Sequence, residues 1–230
     1  MNLAYLSGRP IKAVVLDFDG TLVHSTVDFS KMKHKLIDEM RNMGIPKSAL
    51  DPSITVTENM ENIHSFLISS DNSVAWETVE CLASEMMENA EMENVHLTRP
   101  IKGAKETILK LKHMGFKVGM LTRGSRRYAT AAIKYAGLDG IIDKQMFRDD
   151  NGEREAKPNP ISLHRMANSL GLPVRKCLMV GDHSIDSICA NSAGAAFIGV
   201  LTGSFTEEDW KQFGCYYTNS VADLPTLLSR

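Results

Sequence analysis

An α/β fold, a doubly wound parallel sheet with an inserted small helical domain, is predicted by three observations on this 230-residue chain. An apolar run from Ala13 to Leu16 stops at Asp17-Phe18-Asp19-Gly20-Thr21, which reads as a buried strand ending in a sharp turn. From residue 98 onward, short apolar runs alternate with helical patterns, as in parallel strands joined by helices. Between them lies a mainly helical stretch of different charge. Residues 24–97 hold 5 Lys and Arg against 13 Asp and Glu, formally −8; the remainder holds 21 against 15, formally +6. The domains read as 1–23 with 98–230 for the α/β core and 24–97 for the insertion.

Taken in order, Gly8 and Pro10 lead into a first strand over Ile11 to Asp17. The insertion is expected to hold a helix over Phe29 to Met43, stopped by Gly44 and Pro46, one or more helices in the region Ile54 to Ser69, and a helix over Val74 to Asn94. In the last, Trp76, Val79, Ala83, Met86, Met87 and Ala90 recur at helical spacing and predict a core-facing stripe. The core then resumes with a helix (Gly103 to Met114), a strand (Lys117 to Leu121), a helix (Ser125 to Ala136) and a short strand near Ile141. A helix (Pro160 to Leu170), a strand (Cys177 to Val180), a helix (Ile185 to Ser192), a strand (Ala196 to Val200) and a helical segment near Leu224 complete it.

With 43% hydrophobic residues the chain can bury a core without staples, and Cys81, Cys177, Cys189 and Cys215 form no CxxC pair that would mark a zinc site or a disulfide framework. A net charge of −2 argues against general nucleic-acid binding. No apolar run approaches the roughly 20 residues that span a bilayer, and no signal peptide is evident, so the chain reads as cytoplasmic with a small-molecule partner.

The DFDGT run places two carboxylates one residue apart at a strand end, a nucleophile and a proton-handling partner in one turn. Asp17 and Asp19 share a side if strand geometry persists through Phe18. Three further signals end predicted elements. These are Thr122-Arg123-Gly124 after a strand, Lys157 in Ala-Lys-Pro-Asn-Pro ahead of a helix, and Gly181-Asp182-His183-Ser184-Ile185-Asp186 after another strand. In a parallel sheet such ends share one edge, where ligands bind.

The four blocks, in this order, resemble the haloacid dehalogenase-like superfamily, with its Rossmann-like core, and within it the phosphatases with a helical cap inserted after the first strand. Phe147-Arg148-Asp149-Asp150 leading to Lys157-Pro158, and Ala193-Gly194-Ala195, are similar to the phosphoglycolate-phosphatase-like branch. The resemblance implies a Mg²⁺-dependent phosphatase acting on a small phosphorylated metabolite, with phosphoglycolate as the first substrate to try. Asp17 would be the nucleophile that forms an aspartyl-phosphate, and Asp19 the acid and then the base. The metal would be held by the Asp17 carboxylate, the Asp19 backbone carbonyl and Asp182, with Asp186 as a ligand or as the group orienting one. Lys157 would supply a fixed positive charge, and Thr122 with the backbone around Gly20, Arg123 and Gly124 would hold phosphoryl oxygens. His24, Arg123 and His183 flank the motifs and are weaker candidates for substrate contact.

Arg123 stands where many relatives carry Asn, so a role for that side chain does not transfer. Asp19 argues against carbon–halogen hydrolysis, because dehalogenases of the superfamily generally lack it. A phosphosugar mutase of the β-phosphoglucomutase type is the alternative with the same first step, and a non-catalytic phospho-ligand-binding module is a third reading.

Overall fold

The computed structural model describes residues 10–70 and 74–229, so Gly8 lies outside the described residues. Six strands form one sheet: β1 (Ala13–Leu16), β4 (Lys117–Leu121), β5 (Lys144–Met146), β6 (Cys177–Gly181), β7 (Ala196–Val200) and β8 (Tyr217–Thr218). Their order is β5-β4-β1-β6-β7-β8, and every pairing is parallel. This is the predicted doubly wound α/β architecture. In register, Leu16 lies beside Met120 on one side and Val180 on the other, so the chain segments that follow β1, β4 and β6 leave the sheet side by side.

Both faces of β1 are covered, and all four of its residues are buried, which is why Ala-Val-Val-Leu shows no alternation. Val15 and Met179 face a layer built from α6 (Pro160–Ser169) and α7 (Ser184–Ala193), where Leu163, Met166, Ala167, Cys189 and Ala190 complete the packing. α4 (Ala104–His113) and α5 (Arg126–Tyr135) start one residue inside the expected bounds, because Gly103 and Ser125 are their caps.

Three expectations are corrected. The strand expected near Ile141 is β5, three residues later; the apolar pair Ile141-Ile142 lies in the preceding turn, and the edge strand itself is the polar Lys-Gln-Met. Between β7 and Leu224, α8 (Glu207–Gln212) and β8 went unread. α8 has only six residues, but Thr206 and Asp209 form a reciprocal capping box, and fully buried Trp210 anchors it to the sheet. A two-residue antiparallel pair, β2 (Val23–His24) with β3 (Arg99–Pro100), was also missed; strands so short carry no periodicity. α9 (Leu224–Leu227) ends the chain as expected.

By their contacts the described residues divide into two compact units, one running up to Thr26 and resuming at Asn94, the other Val27–Glu93. The second holds α1 (Phe29–Asn42), α2 (Val56–Ser69) and α3 (Trp76–Glu93). Asp28 caps α1 by accepting from the Lys31 N–H, and Thr55 with Glu58 forms a capping box on α2. Met32, Leu36, Ile37 and Met40 of α1 pack with Met60 and Ile63 of α2 and Val79, Ala83 and Met87 of α3. None of the described helices is long and apolar enough to cross a membrane.

Candidate active site

The carboxyl edge of the sheet carries the site. The Asp17 N–H donates to the Val180 carbonyl at 2.8 Å, which extends the β1–β6 ladder one residue and fixes Asp17 beside the end of β6. The chain then turns: the Phe18 carbonyl accepts from Leu22 and Val23, so strand geometry does not persist through Phe18. The two carboxyls consequently part company. That of Asp17 meets Lys157, and that of Asp19 accepts from the Tyr128 hydroxyl at 2.5 Å.

Asp17, Asp182 and Asp186 are all buried, and each offers a carboxylate oxygen within 4.8 Å of the others. Asp182 follows the last residue of β6, and Asp186 lies in the first turn of α7. Lys157, 2% exposed, donates from Nζ to Asp17 Oδ1 at 2.5 Å and to Asp186 Oδ1 at 2.6 Å. Two of the three carboxylates thus share one ammonium. Burial opposes the charge on Lys157, but Asp17 and Asp186 outweigh it and hold the amine above its ordinary pKa. Burial, with the Asp17 charge next, pushes Asp182 up to about 7 despite the N–H of Ser204, and the same two causes raise Asp186.

Such a site lacks positive charge. At about 4 Å a like-charged pair costs ~4 kcal/mol even at an effective dielectric near 20, so the cluster calls for a cation. Carboxylate oxygens are hard donors of the kind divalent ions such as Mg²⁺ prefer. The donor set therefore fits a hard divalent cation held by Asp17, Asp182 and Asp186.

The surrounding turns are shaped to this cluster. Gly20 has φ +75°, and a Cβ there would lie 2.5 Å from Asp182 Oδ2; a Cβ at Gly203 would lie 2.0 Å from the same atom. Asp182 is thus clasped between two glycines. Its Oδ2 also accepts the Ser204 N–H at 2.7 Å, while the Thr202 hydroxyl donates to the Gly20 carbonyl at 2.6 Å. The Thr202-Gly203-Ser204 loop escaped the sequence reading. Its signal was a small polar run directly after a predicted strand on this edge.

Thr122, just past β4, is 2% exposed, and its hydroxyl oxygen accepts the Gly124 N–H at 2.9 Å, leaving the hydroxyl proton to donate elsewhere. The Arg123 guanidinium turns to Glu153 and to the Lys157 carbonyl. Arg148, buried, donates to the Arg123 carbonyl at 2.8 Å and places its Nε 3.6 Å from Glu153. This Arg123–Glu153–Arg148 group fastens the loop that presents Lys157. His183 caps α7 through its ring nitrogen and packs on Phe205, and His24 is exposed on β2.

With this geometry the comparison with known families is decisive: the sequence profile described as haloacid dehalogenase-like hydrolase matches residues 14–200. The chain belongs to that family. A pyrophosphatase PpaX of Halalkalibacterium halodurans is 29% identical over 217 residues, 93% of this chain and 95% of the relative. A phosphoglycolate phosphatase of Neisseria meningitidis is 26% identical over 198 residues, 84% of this chain and 81% of the relative. Among solved structures, a hydrolase from Pseudomonas syringae aligns with a TM-score of 0.69 at 24% identity, over 94% of this chain and 97% of that one, a likeness of fold. This haloacid dehalogenase-like hydrolase is accordingly an enzyme of the phosphatase kind, a phosphoric monoester hydrolase.

Proposed function

We propose that this hydrolase is a Mg²⁺-dependent phosphatase that removes a phosphoryl group from a small metabolite through an aspartyl-phosphate on Asp17. The observation that carries the reading is the division of labour between the two carboxyls of the DFDGT turn. Asp17 sits against Lys157 in the acidic cluster, whereas Asp19 is engaged separately by Tyr128.

In the first step an Asp17 carboxylate oxygen bonds to phosphorus as the bond to the leaving oxygen breaks, and the Asp19 carboxyl gives that oxygen its proton. In the second, Asp19 takes a proton from water as the water oxygen bonds to phosphorus, freeing phosphate and restoring the Asp17 carboxylate. Lys157 keeps a fixed positive charge beside the nucleophile throughout, and the Thr122 hydroxyl donates to a phosphoryl oxygen. Mg²⁺, when bound by Asp17, Asp182 and Asp186 with the Asp19 carbonyl, supplies the positive charge that lets an anionic nucleophile approach an anionic phosphate. The inserted helices are the cap that the resemblance implies.

Pyrophosphate and phosphoglycolate are the first substrates to try, since the relatives named for them align along most of the chain. The test is phosphate release by the purified protein with Mg²⁺ across these two, sugar phosphates and nucleotides. The reading expects turnover that chelation abolishes, with one compound preferred. Isomerised sugar phosphate in place of free phosphate would overturn it in favour of a mutase, and metal-dependent binding without turnover in favour of a binding module.

A further inference from the structure

The geometry points to Tyr128 as a positioning residue for the proton-transferring carboxyl of Asp19. Tyr128 is fully buried in the first turn of α5, and its hydroxyl donates to Asp19 Oδ1 at 2.5 Å, a contact spanning 109 residues of sequence that leaves the other carboxyl oxygen to carry the transferred proton. Its surroundings hold the ring in place. The Tyr128 N–H donates to the Ser125 hydroxyl that caps α5, and the ring packs edge-on to Phe18, with centroids 6.2 Å apart. A Cβ at Gly124 would lie 2.8 Å from the ring, so the residue after Arg123 leaves just the room it needs.

The placement has a consequence for the reaction. Asp19 belongs to a turn bordered by three other carboxylates and one ammonium, and a flexible carboxyl there would be drawn to Lys157 or to a bound cation. The Tyr128 hydroxyl instead holds one Asp19 oxygen on the α5 side, so the carboxyl is kept for proton transfer. A misplaced acid loses rate in proportion to how much the leaving oxygen needs a proton. Alkyl phosphates, with strongly basic leaving alkoxides, need it; p-nitrophenyl phosphate, whose leaving group is stable as an anion, hardly does.

The inference rests on the reading of Asp19 as the acid that serves the leaving oxygen. Its test compares kcat/KM, which reports the first phosphoryl transfer, for an alkyl phosphate and for p-nitrophenyl phosphate. Tyr128→Phe removes the hydroxyl and keeps the ring. It is expected to lower kcat/KM for the alkyl phosphate about tenfold or more, while p-nitrophenyl phosphate changes by less than about twofold. Gly124→Ala, which crowds the ring beside backbone that would hold phosphoryl oxygens, is expected to slow both substrates and the alkyl phosphate the more. In an Asp19→Asn background, adding Tyr128→Phe is expected to slow neither substrate further. Equal losses on both substrates in Tyr128→Phe, or no loss on either, would overturn the positioning role. Asp19→Asn separates the two failures. If it slows the alkyl phosphate selectively and Tyr128→Phe does not, the inference alone fails; if Asp19→Asn shows no selectivity, the reading of Asp19 fails first.

Discussion

The helical unit and the carboxyl edge of the sheet bury side chains of opposite character, and the contrast shows where this protein gains stability and where it gives stability up. Among the described residues of the unit Val27–Glu93 the buried ones are almost all apolar; the exceptions are Glu91 and Asn59. Asn59 is matched by three hydrogen bonds, accepting from the Asp51 N–H and donating to the Asp51 and Thr55 carbonyls. At the sheet edge, Asp17, Thr122, Lys157, Asp182 and Asp186 are buried together, and the negative charge exceeds the positive. The first arrangement is favourable packing at little electrostatic cost. The second costs stability, a cost that the proposed phosphoryl transfer on Asp17 accounts for.

Substitutions at Lys157 should expose that contrast most sharply. Lys157→Ala leaves Asp17 and Asp186 without their shared partner, and breaking a buried pair typically costs about 3–5 kcal/mol. Turnover is expected to fall by roughly a hundredfold or more, as when a preorganised charge is removed from an active site. A denaturation midpoint and kcat/KM on the same sample check both parts. In the helical unit, Ile63→Ala removes a fully buried side chain and should cost ~2–5 kcal/mol, with the loss read as a lower melting temperature.

Asp182→Asn should move the other way. It replaces a buried carboxylate whose pKa is raised to about 7 by a neutral group of the same shape, so the metal-free protein is expected to gain on the order of 1–3 kcal/mol while turnover is lost. Greater stability with no activity would separate the structural cost of the site from its use. An Asp182→Asn protein less stable than the parent would break the comparison.

The same shift fixes a pH dependence. Burial raises Asp182 from its ordinary 3.8 to about 7 in the folded protein, so in that window the folded protein binds more protons. Its contribution to stability is therefore fully present below pH 3.8 and declines as pH rises through 7. Thermal melts of the metal-free protein should show this decline between these values, and a shallower one in Asp182→Asn. The smallest effect is at a helix end. Thr55→Ala removes the capping box on α2 and should cost ~1 kcal/mol, within the reach of urea titration.

Much of the core was legible because its parallel strands are short apolar runs bounded by glycine, polar turns or motif residues. Lys117–Leu121 and Ala196–Val200 fall where the sequence puts them, and α1 to α3 differ by a residue or two at their ends. β5 did not stand out, because an edge strand of Lys-Gln-Met owes its place to pairing with Gly119 to Leu121 and not to its own side chains. The residues Asp17, Thr122, Lys157, Asp182 and Asp186 were legible because their chemistry is unusual at strand and helix ends. What surrounds them was not. Tyr128 reads as an ordinary core aromatic of a helix, and its bond to Asp19 depends on α5 lying beside the turn after β1. The clasp of Gly20 and Gly203 on Asp182 depends on the same three-dimensional closeness. Arg123 is explained by Glu153, 30 residues away, a pairing with no local signature.

The central claim is that Asp17 carries the phosphoryl group, and trapping that group tests it most directly. During turnover with Mg²⁺, borohydride reduction of the acyl phosphate followed by peptide mass spectrometry should convert Asp17, and no other carboxylate, to homoserine, and Asp17→Asn should give neither label nor phosphate. Label at Asp19, or undiminished turnover by Asp17→Asn, would contradict the account.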